Sequence, residues 1–162
     1  MKKKIWIACL GAMLLAAPVF AADAPTEKNK EIARRVIEEV LGQGNFELAE
    51  QLYAKDFVNH GQTRDISLKE DQDAARGWKQ AFPDLKMTAA DLLIAEGDLV
   101  TVVWTARGTN TGTGNGLPAT GKSGSMRGIT IWKIVDGKLR EEWSAFDQLS
   151  FLQQLGLMPA TK

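Results

Sequence analysis

The sequence contains little of two residue types that often carry chemistry: only one of its 162 residues is cysteine and only one is histidine. Cys9 lies in an N-terminal apolar segment whose removal is expected, which leaves a chain that can form neither disulfides, thiolate metal sites nor a cysteine nucleophile. His60 has no second histidine at metal-ligand spacing. The sequence therefore argues against a typical zinc site.

The sequence also has no excess of positive or negative charge, and several catalytic motifs are absent from it. Lys and Arg number 20, as do Asp and Glu, and no basic cluster occurs, which argues against a nucleic-acid partner. No serine lies in a nucleophile-elbow motif, and no G-x-G-x-x-G follows a predicted strand. Serine hydrolases of the elbow type and dinucleotide enzymes are therefore poor fits.

Long apolar runs are absent except at the N-terminus. Three lysines precede the apolar run Ile5–Phe20, and Ala21 and Ala22 follow it. This order predicts a secretory signal peptide over residues 1–22, cleaved after Ala21 or Ala22. The run is shorter than the roughly 20 residues that a spanning helix needs. We expect a mature domain over residues 23–162 that is periplasmic or secreted, with no membrane contact after cleavage.

Hydrophobic periodicity predicts that three helices come first. They fall at residues 32–41, 45–53 and 67–82, and each repeats apolar side chains at helical spacing. Asn45 is a suitable N-cap for the second, and Ser67 with Glu70 forms a capping box for the third. Alternating, strand-like segments follow. The order predicts an α+β fold with an antiparallel sheet and the helices gathered on one of its faces.

The segment Gly128–Asp147 is predicted to form the central hairpin, turning at Asp136-Gly137. A two-residue turn pairs Trp132 with Glu141 and Thr130 with Trp143, and it carries Asp147 onto the same face. The opposite face, which contains Glu142, is more charged and is expected to face outward. Since a buried carboxylate is costly unless paired or protonated, acids on an aromatic-rich inner face indicate a lined pocket.

The loop segment Gly116–Ser123 matches the phosphate-loop pattern G-x-x-x-x-G-K-[ST]. That pattern binds phosphate where it opens a helix, whereas here a strand-like run follows. We therefore interpret it as a flexible hairpin loop that covers a pocket mouth.

Three polar residues each have two interpretations. Asp147 is either an acid–base group or simply the N-cap of a final helix over residues 148–155. Glu141 either lines the pocket or pairs with Arg107 or Arg127. His60 either bonds a nearby carbonyl in a loop, or lies at the pocket mouth and polarises a carbonyl or moves a proton.

An ordered set of short segments resembles the SnoaL-like polyketide and ester cyclase family over nearly the whole mature chain. The segments are Phe57-Val58-Asn59-His60, Ala81-Phe82-Pro83-Asp84-Leu85, Glu96-Gly97-Asp98, Gly108-Thr109, Thr120-Gly121-Lys122, Asp136-Gly137-Lys138, Glu142-Trp143 with Asp147, and Gln154-Leu155-Gly156. The resemblance implies the cone-shaped fold of nuclear transport factor 2, in which a curved antiparallel sheet and helices enclose a pocket, often in a homodimer.

The resemblance also implies a mechanism. In characterised cyclases of the family, the aspartate after the final-strand tryptophan is the general acid–base of an aldol closure that needs no metal or cofactor. Asp147 takes that position here, and Asn59 with His60 matches a polar pair near the pocket opening. One departure is Asn110, which stands where relatives frequently have histidine. The expected site thus has Asp147 and His60 as catalytic residues, and as substrate-binding residues Asn59, Trp78, Trp132, Glu141 and Trp143.

Three functions are compatible with this sequence. The first is a cofactor-free enzyme acting on a small, largely apolar carbonyl compound or ester. The second is a non-catalytic module that binds such a ligand in the same pocket, since one fold hosts both kinds of function. The third is a dimeric partner-binding protein whose interior is filled by side chains.

Overall fold

The computed structural model describes residues 24–159 of the chain. Helices α1 to α4 span Ala24–Arg35, Phe46–Leu52, Leu68–Ala81 and Gln148–Gln154. Strands β1 to β6 span Tyr53–His60, Asp65–Ser67, Lys86–Glu96, Leu99–Thr109, Ser123–Val135 and Lys138–Phe146. The strands form one open, curved sheet in the order β2-β1-β6-β5-β4-β3. This is the α+β architecture that the sequence predicts.

Strand β1 departs from the prediction. The sequence indicated a helix up to Tyr53, a turn after Asp56 and then a third helix, whereas β1 and β2 occupy this region before α3. β1 also pairs with β6 in parallel, so the sheet is mixed. The pattern misled because Tyr53 follows Ala49 by four residues, as on one helix face; Tyr53 is buried as the first residue of β1 instead.

The predicted N-caps of α2 and α3 are confirmed by side-chain contacts, whereas the first helix begins at Ala24, before its predicted start at residue 32. Asn45 accepts a hydrogen bond from the Leu48 N–H at 3.2 Å and caps α2. Ser67 and Glu70 form the reciprocal capping box of α3. Helix α1 continues directly into a π-helical segment, Val36–Gly42, whose apolar side chains enter the core. These ends fix where the helices cover the sheet.

A β-bulge in the central hairpin corrects the predicted register. Ile134 pairs with Leu139 as expected, but Lys133 pairs with Glu141, so Arg140 is an additional residue on β6. One extra residue turns every later side chain to the opposite face. Trp132 therefore lies opposite Glu142. The predicted inner and outer faces of β6 are exchanged from this point on.

The glycine-rich connection between β4 and β5 is anchored by Asn110, which is fully buried. Its Oδ1 accepts hydrogen bonds from the Thr120 N–H and hydroxyl, and its Nδ2 donates to the carbonyl oxygens of Ala81 and Gly112. The prediction of a flexible loop is therefore wrong for this segment. A buried amide with four partners holds the loop against the end of α3.

The phosphate-loop match leads into a strand, as predicted. Ser123 begins β5, and several N–H groups of the segment are already bonded within the loop. Thr120 and Gly121 donate theirs to Asn110, and Lys122 donates to the Thr120 hydroxyl.

The expected signal peptide lies outside the described residues. Within residues 24–159, no helix is long and apolar enough to cross a membrane.

Candidate functional site

A cavity of about 220 Å³ lies between the inner face of the sheet and the helices. Its walls are mainly aromatic and aliphatic. They include Trp78 and Phe82 around α3, Phe151 on α4, and Trp104, Met126 and Phe146 on the sheet. The interior is therefore not filled by side chains, which argues against the third function considered above. A largely apolar, enclosed space with a few polar groups is the usual form of a small-molecule site.

The polar end of the cavity is centred on Glu142, on β6. One carboxylate oxygen, Oε1, accepts a 2.7 Å hydrogen bond from the Ser144 hydroxyl. The other, Oε2, accepts a 2.8 Å hydrogen bond from the Trp132 indole N–H. These donors fix the orientation of the carboxyl group within the apolar enclosure.

Asn59 links Glu142 to a second carboxyl group. Its Nδ2 donates to Asp71 Oδ1 at 2.8 Å and to Glu142 Oε1 at 3.3 Å. Asp71 comes from α3 and Asn59 from β1, so three different elements meet at this point. Two carboxyl groups thus share one amide inside the cavity.

A second chain of hydrogen bonds leads across the sheet from β4 to the carboxyl group of Glu142. The Trp104 indole N–H donates to the Thr130 hydroxyl at 3.0 Å. Thr130 and Ser144 share a 2.7 Å hydrogen bond, and Ser144 donates to Glu142. Connected networks of this kind hold a buried polar group in one geometry.

The two carboxyl groups have shifted pKa values. Burial and, after it, the nearby Asp71 charge raise the pKa of Glu142 to about 7, whereas the bonds from Ser144 and Trp132 act in the opposite direction. Burial also raises the pKa of Asp71, while the bond from Asn59 lowers it. A carboxyl group with a pKa near neutrality is suited to both accepting and donating a proton.

Three of the predicted site residues do line the cavity, namely Asn59, Trp78 and Trp132. Two others, Glu141 and Trp143, point away from it as a consequence of the bulge. Glu141 pairs with Lys133 at 2.8 Å instead of with Arg107 or Arg127. Trp143 is 38% exposed.

His60 belongs to this outer group and does not line the cavity. Its Nε2 lies 3.0 Å from Glu141 Oε2, and its Nδ1 lies 3.0 Å from Asp65 Oδ1. Its ring stacks on Trp143 with 4.6 Å between centroids and 17° between planes. The bonds to the two carboxylates, that to Glu141 first, raise the pKa of His60. The predicted pair Asn59 and His60 is therefore split between the two faces of the sheet.

Asp147 is exposed and caps α4. Its Oδ1 accepts a 3.0 Å hydrogen bond from the Ser150 N–H, and it is not among the residues that line the cavity. The predicted inner-face position is wrong because the bulge turns that face outward. The capping interpretation is confirmed. The catalytic role of Asp147 stays a prediction, which a comparison with Glu142 can test.

The sequence model of the SnoaL-like polyketide cyclases matches residues 31–155, which is most of the chain. The protein belongs to the SnoaL-like polyketide cyclase family. No curated protein gave a significant match to the sequence.

Solved structures give the same fold for this SnoaL-like protein. AclR, a proposed hydroxylase from Streptomyces galilaeus, superposes with a TM-score of 0.76 at 23% identity, over 85% of this chain and 86% of that one. IdmH, a proposed polyketide cyclase from Streptomyces antibioticus, superposes with a TM-score of 0.70 at 26% identity, over 79% of this chain and 98% of that one. A proposed polyketide cyclase from Acidithiobacillus ferrooxidans superposes with a TM-score of 0.69 at 28% identity, over 80% of this chain and 95% of that one. The first of these likenesses supports the fold alone.

Sequence reasoning missed most of the polar residues that line the cavity of this SnoaL-like protein, among them Tyr53, Asp71, Glu142 and Ser144. Glu142 and Ser144 follow from the bulge, which the hairpin pattern does not reveal. Tyr53 was placed on a helix. Asp71 sits in an ordinary helical sequence beside other charged residues, and only the approach of α3 to β1 brings it inside.

Over residues 24–159, no cluster of three or more His, Cys, Asp or Glu side chains is arranged to hold a metal ion.

The shifted pKa of Glu142 predicts a specific pH dependence of stability. A folded-state pKa of about 7 against an ordinary value of 4.5 means that the folded protein holds the proton more tightly. The free energy of unfolding should therefore fall as pH rises from about 5 to about 8, by on the order of 2–3 kcal/mol relative to Glu142→Gln. Urea unfolding of both proteins across this range measures the difference.

Glu70→Gln is the matched control, because bonds from Arg64 and Ser67 lower the pKa of Glu70 to about 2 and no histidine takes part. Relative to this variant, the wild-type protein should lose stability only as pH falls below the ordinary carboxyl range. Parallel stability curves for wild type and Glu142→Gln between pH 5 and pH 8 would contradict the placement of Glu142.

Proposed function

We propose that this protein is a cofactor-free enzyme that uses general acid–base chemistry on a small, largely apolar carbonyl compound or ester. The observation that carries the proposal is the position of Glu142, whose pKa is raised to about 7 inside an apolar cavity. Membership of the SnoaL-like family supports cyclase-type chemistry, such as an aldol closure or a related isomerase, lyase or hydrolase step. The proposal moves the acid–base role from Asp147 to Glu142.

The proposed step begins with an ionised Glu142 and a ligand whose carbonyl group lies at the polar end of the cavity. The carboxylate takes a proton from the carbon beside the carbonyl, and the electron pair of that C–H bond forms an enolate. In an aldol closure, the enolate carbon attacks a second carbonyl carbon of the same ligand and leaves an alkoxide. Glu142 then returns its proton to the alkoxide, so that no external reagent is consumed.

Asp71, Ser144 and Trp132 have supporting roles in this proposal. Like charges in one apolar site cannot easily coexist, so a proton on Asp71 favours the ionised form of Glu142. The hydrogen bonds from Ser144 and Trp132 favour the same form. The apolar walls exclude water and thereby protect an enolate from protonation at the wrong moment.

A binding module is the alternative function. It is favoured by one observation, which is that both oxygens of Glu142 already accept hydrogen bonds from the protein. A carboxyl group held in this way could orient a ligand without exchanging a proton. The two functions differ in turnover, which the substitutions below measure.

Glu142→Gln should reduce turnover about 10²–10⁴-fold, because the amide keeps the shape of the side chain but cannot carry the proton. Asp147→Asn is the matched control, since asparagine caps a helix as well as aspartate does. It should retain turnover and melting temperature. The assay uses any substrate found by screening small carbonyl compounds and esters.

The outcomes separate the hypotheses. Full turnover by Glu142→Gln together with loss in Asp147→Asn would restore the family-based assignment and sink ours. Full turnover by both variants would remove both carboxyl groups from the mechanism. Ligand binding with no turnover by the wild-type protein would favour the binding module.

We also propose that the protein forms a homodimer through the outer face of the sheet. Ile94, Thr101, Ile131 and Trp143 are paired side by side across β3, β4, β5 and β6. Ile94, Ile131 and Trp143 are each at least one-third exposed. A contiguous apolar surface of this kind is typical of a protein–protein contact.

Ile131→Asp should convert the dimer to a monomer, because it places a charge at the centre of this surface. Leu149→Asp, at an exposed position on α4, is the control and should leave the dimer intact. Light scattering after size-exclusion chromatography measures the mass. A monomeric wild-type protein at micromolar concentration would disprove this assembly.

We propose that the protein acts outside the cytoplasm, on the basis of the signal-like pattern in residues 1–22. The exported protein should begin at Ala22 or Asp23. Intact mass spectrometry of the exported fraction tests this, and retention of Met1 there would disprove cleavage.

A further inference from the structure

The hydroxyl group of Tyr53 is an unused hydrogen-bond donor in the cavity. Tyr53 begins β1, lines the cavity and is only 4% exposed. Its ring is held edge-on against Phe57, with 4.9 Å between centroids. Among residues 24–159, no side chain or backbone group forms a hydrogen bond with this hydroxyl. A tyrosine buried to this extent usually has a partner for its hydroxyl.

The absence of a partner shows where the hydroxyl points. Across the described part of the chain, every fully enclosed side-chain nitrogen or oxygen has a hydrogen bond. The unpaired Tyr53 oxygen is therefore not sealed inside packed protein and must meet open space. Since Tyr53 is almost completely buried from the outside, that space is the cavity. The group is positioned to bond a ligand instead of a protein atom.

The surroundings keep this hydroxyl a donor. Burial raises the pKa of Tyr53 well above its ordinary value, and the charges of Asp71 and Glu142 act in the same direction. Tyr53 therefore stays protonated throughout the range in which Glu142 gains and loses its proton. Tyr53, Asp71 and Glu142 all line the same cavity.

We propose that the Tyr53 hydroxyl donates a hydrogen bond to the carbonyl oxygen of the bound ligand. This inference rests on the proposed function in taking a carbonyl compound as the ligand. β1 and β6 are neighbours in the sheet, so Tyr53 and Glu142 act on the ligand from adjacent strands. Glu142 takes a proton from carbon while Tyr53 stabilises the negative charge that develops on oxygen. Tyr53 also selects ligands with an oxygen at this end, because an apolar ligand leaves the hydroxyl unpaired.

The test compares two ligands and two proteins. The probes are 1-tetralone and tetralin, which share a fused-ring skeleton but differ in one carbonyl group. Wild-type protein should bind 1-tetralone more tightly, by about three- to tenfold for one net hydrogen bond. Tyr53→Phe should lose this preference and bind tetralin unchanged. Infrared difference spectra of bound 1-tetralone should show a lowered carbonyl stretching frequency that returns toward the free value in Tyr53→Phe.

Tyr53→Phe should keep the wild-type melting temperature, since no protein hydrogen bond is lost and the ring still packs on Phe57. Trp78→Ala is the control for the cavity wall, and it should weaken both ligands alike. Equal affinities for both ligands in wild type, binding of neither, or an unchanged preference in Tyr53→Phe would overturn the inference. These results are distinguishable from failure of the proposed function, which is decided by turnover in Glu142→Gln.

Discussion

The cavity depends on one extra residue in a strand. Arg140 occupies the bulge in β6, and its guanidinium group forms two hydrogen bonds to the carboxylate of Asp56, at 2.8 and 2.9 Å. The bulge sends Glu142 inward and Glu141 outward. Because side chains alternate along a strand, no gradual adjustment could achieve this exchange. The inward positions of Glu142 and Ser144 follow from that local irregularity.

The second constraint is the cost of enclosing two carboxyl groups. A buried carboxylate without partners costs several kcal/mol, and the protein reduces this cost in two ways. Donors from Trp132, Ser144 and Asn59 stabilise the charge, and the raised pKa of Glu142 keeps part of the population neutral near pH 7. What remains of the cost is a source of reactivity, because a carboxyl group with a pKa near 7 can both accept and donate a proton at neutral pH. Exposed ion pairs such as Lys133–Glu141 contribute much less to stability.

The aromatic walls require two close approaches between side chains and backbone. A Cβ atom on Gly128 would lie 2.2 Å from the Trp104 ring, and one on Gly124 would lie 2.8 Å from the Phe151 ring. Glycine at these two inner-face positions lets the rings lie against β5. Larger residues would push the rings into the cavity or away from the sheet. The aromatic wall of the cavity thus depends on two residues that have no side chain of their own.

The sequence by itself determined much of the fold. Local signals placed the N-cap of α2, the capping box of α3, the Asp136-Gly137 turn and the final helix, because these depend on residues close together in the chain. It also identified Asn59, Trp78 and Trp132 as residues of one site. The tertiary structure decided the rest. The bulge at Arg140, the pairing of β1 with β6 and the approach of α3 bring Tyr53, Asp71 and Glu142 together. The bulge depends on pairing across the hairpin, and the other two are contacts between distant segments. The periodicity of a single segment reveals none of them.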